Sequence, residues 1–151
     1  KSACAQLRRS HQHPYIRNRP AMPFESAILT GAQAVHKALA TEQEYFRYCT
    51  FSNASLEGGH FDGVFIACIF KDMEWYWGLF NTAIFVDCTF ENCIFRGSSF
   101  AGCRIVQSSF EKTRFLKDNL GAPCSSSETS VYDCLVEDCE GVEDIFPTLM
   151  A

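Results

Sequence analysis

The chain has 151 residues, 47% of them hydrophobic and 14% aromatic, with 13 Lys/Arg against 18 Asp/Glu for a net charge of −5. That length and apolar content suffice for one domain with a buried core and exclude intrinsic disorder. No run of eighteen apolar residues occurs, which excludes a membrane-spanning helix. Residues 1–40 carry six Lys/Arg and one acid, residues 41–120 seven bases and ten acids, and residues 121–151 seven acids and no base. The first segment, 1–23, reads as a basic arm. It is free of acids, which suits either a solvated tail or a targeting segment, and Met22 offers an alternative native start. Residues 24–43 read as a helix behind Pro23. Ala27, Ile28, Gly31, Ala32, Val35, Ala38 and Leu39 recur there at spacings of three and four. Its expected job is to cover the open lower edge of the structure that follows, since an uncovered strand edge invites pairing with another chain.

From residue 44 to residue 120 the periodicity changes. Phe70, Trp75, Phe80, Phe85, Phe90, Phe95, Phe100, Ile105, Phe110, Phe115 and Leu120 are eleven large apolar residues in a strict register of five. A small residue stands two places before most of them, as at Cys68, Gly78, Ala83, Cys88, Cys93, Ser98 and Cys103, with Met73 and Asp118 as exceptions. Phe46, Phe51, Leu56 and Phe61 keep the same spacing upstream, and the register slips by one residue through Phe65 or Ile66. That makes sixteen repeat centres from Phe46 to Leu120. Neither a helix, with its period near 3.6, nor a flat strand, with its period of 2, keeps such residues on one face. A period of five requires a chain that turns a corner at each repeat.

This pattern resembles the pentapeptide-repeat family, most plainly in the stretch from Asp87-Cys88-Thr89-Phe90 through Cys93-Ile94-Phe95 to Ser98-Ser99-Phe100. The resemblance implies an all-β solenoid, a right-handed quadrilateral β-helix with four pentapeptides per coil and about four coils here. It also implies that the central Phe or Leu and the small residue before it point inward. Residues twenty apart then stack, Phe110 over Phe90 over Phe70 and Phe115 over Phe95 over Trp75. Parallel strands about 4.8 Å apart make a rod roughly 20 Å long. Beyond Leu120, residues 121–130 read as a loop on Gly121, Pro123 and the run Ser125-Ser126-Ser127. Residues 131–151 read as a partial final coil through Val131 and Val136, with an acidic C-terminal cap.

Nine cysteines invite a metal or disulfide reading. Most of them occupy the small inward place of the repeat, where they act as apolar fillers. Cys49, Cys68 and Cys88 stack in successive coils at a spacing that suits neither easy disulfide geometry nor a tetrahedral zinc cage. Cys4 and Cys124 lie outside the register and are expected to be exposed. Free thiols imply a reducing compartment, so the chain is read as a soluble, cytoplasmic, bacterial protein. Catalytic motifs are thin. His11, His13, His36 and His60 have no metal-pair spacing, and no phosphate-cradling glycine loop occurs. No cofactor, no metal, no direct nucleic-acid contact and no membrane contact are expected, and pairing of two copies stays open.

The expectation is therefore a non-catalytic, protein-binding scaffold, such as an inhibitor or immunity-type protein. The resemblance offers a DNA-mimicking, gyrase-binding protein as the alternative. Candidate contacts are Trp75, Tyr76 and Trp77, an aromatic cluster suited to an interface. The second candidate set is the acidic end with Asp138, Glu140, Glu143 and Asp144. Packing of Tyr76 and Trp77 under the helix or against a displaced loop is the competing reading.

Overall fold

The computed structural model describes residues 24–39 and 45–149. The basic arm, Cys4, His11, His13 and residues 40–43 of the expected helix lie outside these. In chain order the elements are β1 (Phe24–Glu25), β2 (Ile28–Thr30), α1 (Ala32–Leu39), β3 (Tyr45–Arg47), β4 (Thr50–Glu57), β5 (Val64–Ile66) and β6 (Ile69–Tyr76). They continue as β7 (Ile84–Val86), β8 (Thr89–Glu91), β9 (Ile94–Arg96), β10 (Arg104–Val106), β11 (Ser109–Glu111) and β12 (Arg114–Leu116). The last are β13 (Ser130–Tyr132), β14 (Leu135–Glu137) and α2 (Val142–Ile145), with a 3-10 turn over Pro147–Leu149.

All ladders are parallel and wind into a β-solenoid of about four turns with four walls. The first wall stacks β1, β3, β5, β7, β10 and β13. In the second, β4 joins β2 to β6, whose first half leads on to β8, β11 and β14. The second halves of β4 and β6 pair with each other and lead to β9 and β12 as the third wall. Single bridges from His60 to Leu79, Ser99 and Ser125 make the fourth.

Each corner is made by one backbone residue. Two places after nearly every repeat centre the chain adopts positive φ, as at Tyr48, Asn53, Ala67, Asp72, Trp77, Thr82, Asp87, Asn92, Gln107 and Lys112, with φ between 48° and 63°. The left-handed conformation costs an L-residue about 1–2 kcal/mol, and Asn, Asp and Gly tolerate it best. That explains the Asn, Asp and Gly at many corners, Gly97 and Gly102 among them.

What offsets the corners is the core. Rings in one column stack at the coil spacing, with centroids 4.7 Å apart for Trp75–Phe95 and Phe80–Phe100 and 4.9 Å for Phe70–Phe90 and Phe90–Phe110. Neighbouring columns meet edge to face, as in Phe46–Phe51 at 5.5 Å and 69°. The rings between the two ends thus have stacked partners along the rod and tilted ones across it, each contact adding about 0.5–1.5 kcal/mol to simple burial. The inward thiols complete the lining. Cys49, Cys68, Cys88, Cys93 and Cys139 each donate to the carbonyl of the centre one wall back and one coil down, those of Phe24, Phe46, Phe65, Phe70 and Phe110, at 3.1–3.5 Å. Ser98 and Thr113 do the same toward Trp75 and Phe90.

Several expectations need correction. Residues 24–30 are not helical. Phe24 and Leu29 pair with Phe46 and Phe51 and start the first coil, so the helix shrinks to Ala32–Leu39, where it buries Val35 and Ala38. The slip in register resolves at Phe65, which is buried between Phe46 and Phe85, and the short step is Phe61 to Phe65. Leu120 is not a repeat centre, being 85% exposed. The expected loop over residues 121–130 rejoins the wall early. Cys124 is buried and points its thiol at the Phe95 carbonyl, and Ser125 bridges Ser99.

At the upper end the final coil has two strands, β13 and β14, and single bridges at Ser125 and Glu140 on the other two walls, and α2 closes it. Phe146 lies over the column tops, tilted or edge-on to Phe100, Phe110 and Phe115 at 5.6–6.0 Å. Gly141 makes this possible, because a Cβ there would run into the Phe115 carbonyl.

The corner rule makes a direct test. Thr82, a β-branched residue at φ 63° with its side chain exposed, is among the worst suited to its corner. Thr82→Gly should stabilise the fold by about 1 kcal/mol, the left-handed strain minus the extra chain entropy of glycine. A chemical-denaturation midpoint that falls or stays constant would show that the corners are not strained.

Candidate functional site

Trp75, Tyr76 and Trp77 are adjacent in sequence and separate in role. Trp75 is fully buried and stacks on Phe95 with its ring edge-on to Phe80, so it is a core rung and cannot touch a partner. This corrects its place among the candidate contacts, and the reason is its position as a repeat centre at the inward apex of β6. Tyr76 follows on the outer face, and Trp77 forms the corner with φ 58°. Their rings meet edge to face with centroids 4.3 Å apart.

Both outer rings seat a loop. The wall that should turn at Lys117 does not, since Lys117 has no positive φ and the chain leaves the solenoid until Cys124. Asp118 organises the excursion. One carboxylate oxygen, Oδ1, accepts the backbone N–H groups of Leu120 and Ala122, each at 2.8 Å, and Oδ2 accepts the Trp77 indole N–H at 2.9 Å. The Asp118 N–H donates to the Ala122 carbonyl at 2.9 Å, Gly121 turns the tip at φ 83°, and the Asn119 N–H reaches the Tyr76 hydroxyl oxygen at 2.6 Å. Gly97, one coil below Lys117, leaves the gap through which Trp77 reaches Asp118. A Cβ there would lie 3.0–3.1 Å from Asp118 and from the Trp77 ring. The result is a loop pinned at its base, with Leu120 held out at its tip.

The indole hydrogen bond and the backbone donors hold the Asp118 carboxyl below the usual carboxylate range. Of the two readings of Tyr76 and Trp77, packing against a displaced loop describes the geometry. The other candidates, Asp138, Glu140, Glu143 and Asp144, are all exposed at the upper end. Asp138 forms a corner at φ 51°, the Glu140 backbone pairs with Arg114, and Glu143 and Asp144 occupy the first turn of α2. They occupy three different elements of the upper end. Among the described residues no group of three His, Cys, Asp or Glu is placed to hold a metal. Burial pushes the Cys93 thiol up to about 12, and the adjoining Cys68 thiol together with burial raises Cys88, so these sulfurs stay protonated donors.

The sequence places the loop at residues 121–130 and misses its early start, although Asp118 gives the signal. It stands where the register calls for a small residue, and Asp-Asn-Leu-Gly is a turn-forming sequence.

Residues 83–115 match the family model for pentapeptide repeats, in eight copies. No curated protein matches the chain. Among solved structures, trypsin-treated QnrB1, a plasmid-mediated fluoroquinolone resistance protein, is similar at 16% identity with a TM-score of 0.28, over 59% of this chain and 63% of that one. The matched region thus spans under two thirds of that structure.

The tether has a definite pH dependence. A carboxyl held below its ordinary value of 3.8 contributes stability above that pH and loses it as pH falls through the lower folded value. Trp77 emission should therefore stay constant from pH 8 to about 4 and change only in stronger acid. Asp118→Ala should give the undocked spectrum at pH 7. A transition near pH 6, or a silent Asp118→Ala, would refute the assignment.

Proposed function

We propose that this chain, a pentapeptide-repeat protein, is a non-catalytic scaffold that binds another protein through the loop around Leu120. The observation that carries the reading is the combination of a leucine 85% exposed and a loop tied down at Asp118, Tyr76 and Trp77. An apolar side chain held in open solvent gains by entering a partner's apolar pocket. A loop already ordered also loses less conformational entropy on docking than a floppy one. The rod supplies rigidity, and the interruption of its register supplies the contact. An inhibitor or immunity-type protein works in this way, by occupying a partner's surface without chemistry.

A second reading, a DNA-mimicking ligand of a topoisomerase, draws support from the charge. The described residues hold sixteen Asp/Glu against eight Lys/Arg, and Glu91, Glu111 and Glu137 pair in one outer column. Lys71 sits 3.6 Å from Glu91 in that column, and Lys112 and Arg114 interrupt the acidic surface beside it. Under this reading, purified protein inhibits DNA supercoiling by gyrase. Undisturbed supercoiling at high micromolar protein would remove it.

For the loop, a photo-crosslinking residue at position 120 should yield a protein adduct in lysate from the source cells. The same residue at position 135, where Leu135 is 73% exposed on another wall, should not. Asp118→Ala should cut the position 120 adduct several-fold. Equal adducts at both positions, or none at 120, would sink the loop as the contact.

A further inference from the structure

The outer faces of the first two walls have the same geometry, but only the first carries aliphatic residues on consecutive coils. On the second wall the outward positions of β2, β4, β6, β8, β11 and β14 run Ile28, Thr50, Ile69, Thr89, Ser109 and Leu135 in one column, so that its exposed aliphatics never fall on adjacent coils, and Lys71, Glu91, Glu111 and Glu137 in the other. On the first wall, β5, β7 and β10 place Val64, Ile66, Ile84, Val86 and Val106 outward, with Arg104 the one polar residue. Strand propensity alone does not account for this difference, since the two walls pair and alternate alike. Each of the five aliphatics retains exposed surface, Ile84 reaching 37%, and Tyr132 continues the strip upward at 71%. Arg104 turns its guanidinium aside onto the carbonyls of Cys103, Gly102 and Glu128 at 2.9–3.4 Å, and Arg47 below is paired with Glu25 at 2.7 Å.

The borders of the strip are acidic. Asp87 and Asp133 are exposed at the corner toward the second wall, flanking Gln107. Asp62 and Glu128 are exposed on the side of the fourth wall. Three-residue strands make the strip about 10 Å wide, and the four stacked strands β5, β7, β10 and β13 make it about 20 Å tall, so its footprint is roughly 200 Å². A stable protein pair buries about 800 Å² on each side, so a second copy seated on this wall alone falls well short. One α-helix is 10–12 Å across, and about thirteen residues of it span the height.

We infer that the first wall is a docking surface for a single amphipathic helix of a partner protein, with its apolar stripe on Ile66, Ile84, Val86 and Val106 and Lys or Arg along its flanks. This surface rests on the protein-binding reading above and is independent of the Leu120 loop. Basic flanks are required because the corners that would face them carry Asp87 and Asp133 on one side and Asp62 and Glu128 on the other. A helix with acidic flanks would meet like charge along both edges.

A fluorescently labelled fourteen-residue Leu/Lys amphipathic peptide is the probe. It should bind the full chain saturably in the micromolar range and weaken with added salt, and a Leu/Glu peptide of the same pattern should not bind. Ile84→Lys should weaken the Leu/Lys peptide at least tenfold. Val86→Thr, which keeps the β-branch and the fold, should weaken it several-fold with an unchanged unfolding midpoint. Leu120→Ala should leave the peptide affinity as it was, which separates failure of this wall from failure of the loop. No saturable binding, equal binding of the Leu/Glu peptide, or indifference to both wall substitutions would overturn the inference. So would a dimer in sedimentation that Ile84→Lys dissolves, or a tenfold gain in peptide affinity on removing residues 1–22. These would assign the wall to a second copy or to the chain's own arm.

Discussion

A chain that bends four times in each coil must, at every bend, hold one residue in a conformation that ordinary side chains resist. Here the bend falls two places after the inward ring, and the run from Tyr48 to Lys112 shows it at corner after corner. The strain is local and repeated, so the compensation is local and repeated as well. Each corner delivers the next ring into a stack at 4.7–5.2 Å, and nearly all the inward thiols and hydroxyls are delivered to a carbonyl one coil below. Where the corner fails, at Lys117, the wall fails with it. The loop, the seat on Tyr76 and Trp77, and the exposed Leu120 all descend from that one missing turn.

Much of this was legible in the residues because the repeat is a statement about backbone geometry. The ring columns from Phe70 to Phe115 follow from spacing alone, whereas across the slip spacing leaves Phe65 and Ile66 as alternatives. Spacing also misleads. Phe24 and Leu29 already stand five apart, yet Ala27, Ile28, Ala32 and Val35 also satisfy a helical spacing, and the helix reading took the whole segment. The strands prevail there because Phe24 and Leu29 extend existing ring columns, a gain that is visible only once the coil above is built. Leu120 fits the register by number but not by backbone, since nothing in a list of apolar positions reports the φ of Lys117. Cys124 fails the register by number and is nonetheless a filler, because the excursion before it restores the phase.

The outer surfaces are harder to read. Tyr76 and Trp77 are conspicuous in sequence as aromatics outside the core, and they prove to be the floor under the Asp118 loop. The outward aliphatics of the first wall are dispersed in sequence as single residues twenty apart. Only winding the chain brings Ile66, Val86 and Val106 side by side. A solenoid hides its surfaces from linear inspection for the same reason that it reveals its core: the inside repeats every fifth residue and the outside is unconstrained by the repeat.

The orientation of the wall hydrogen bonds has a mechanical corollary. In all four walls they join one coil to the next, as from the Ile69 N–H to the Cys49 carbonyl and from the Thr89 N–H to the Cys68 carbonyl, so they run along the rod. Tension applied between the two ends of the chain therefore peels instead of shearing, loading only the few bonds at the outermost seam at any moment. Coils should yield one after another at low force, each lengthening the chain by roughly 65 Å. The rod resists bending and compression through its stacked rings and gives way readily to a pull at its tip. Its rigidity belongs to its surfaces and not to its ends.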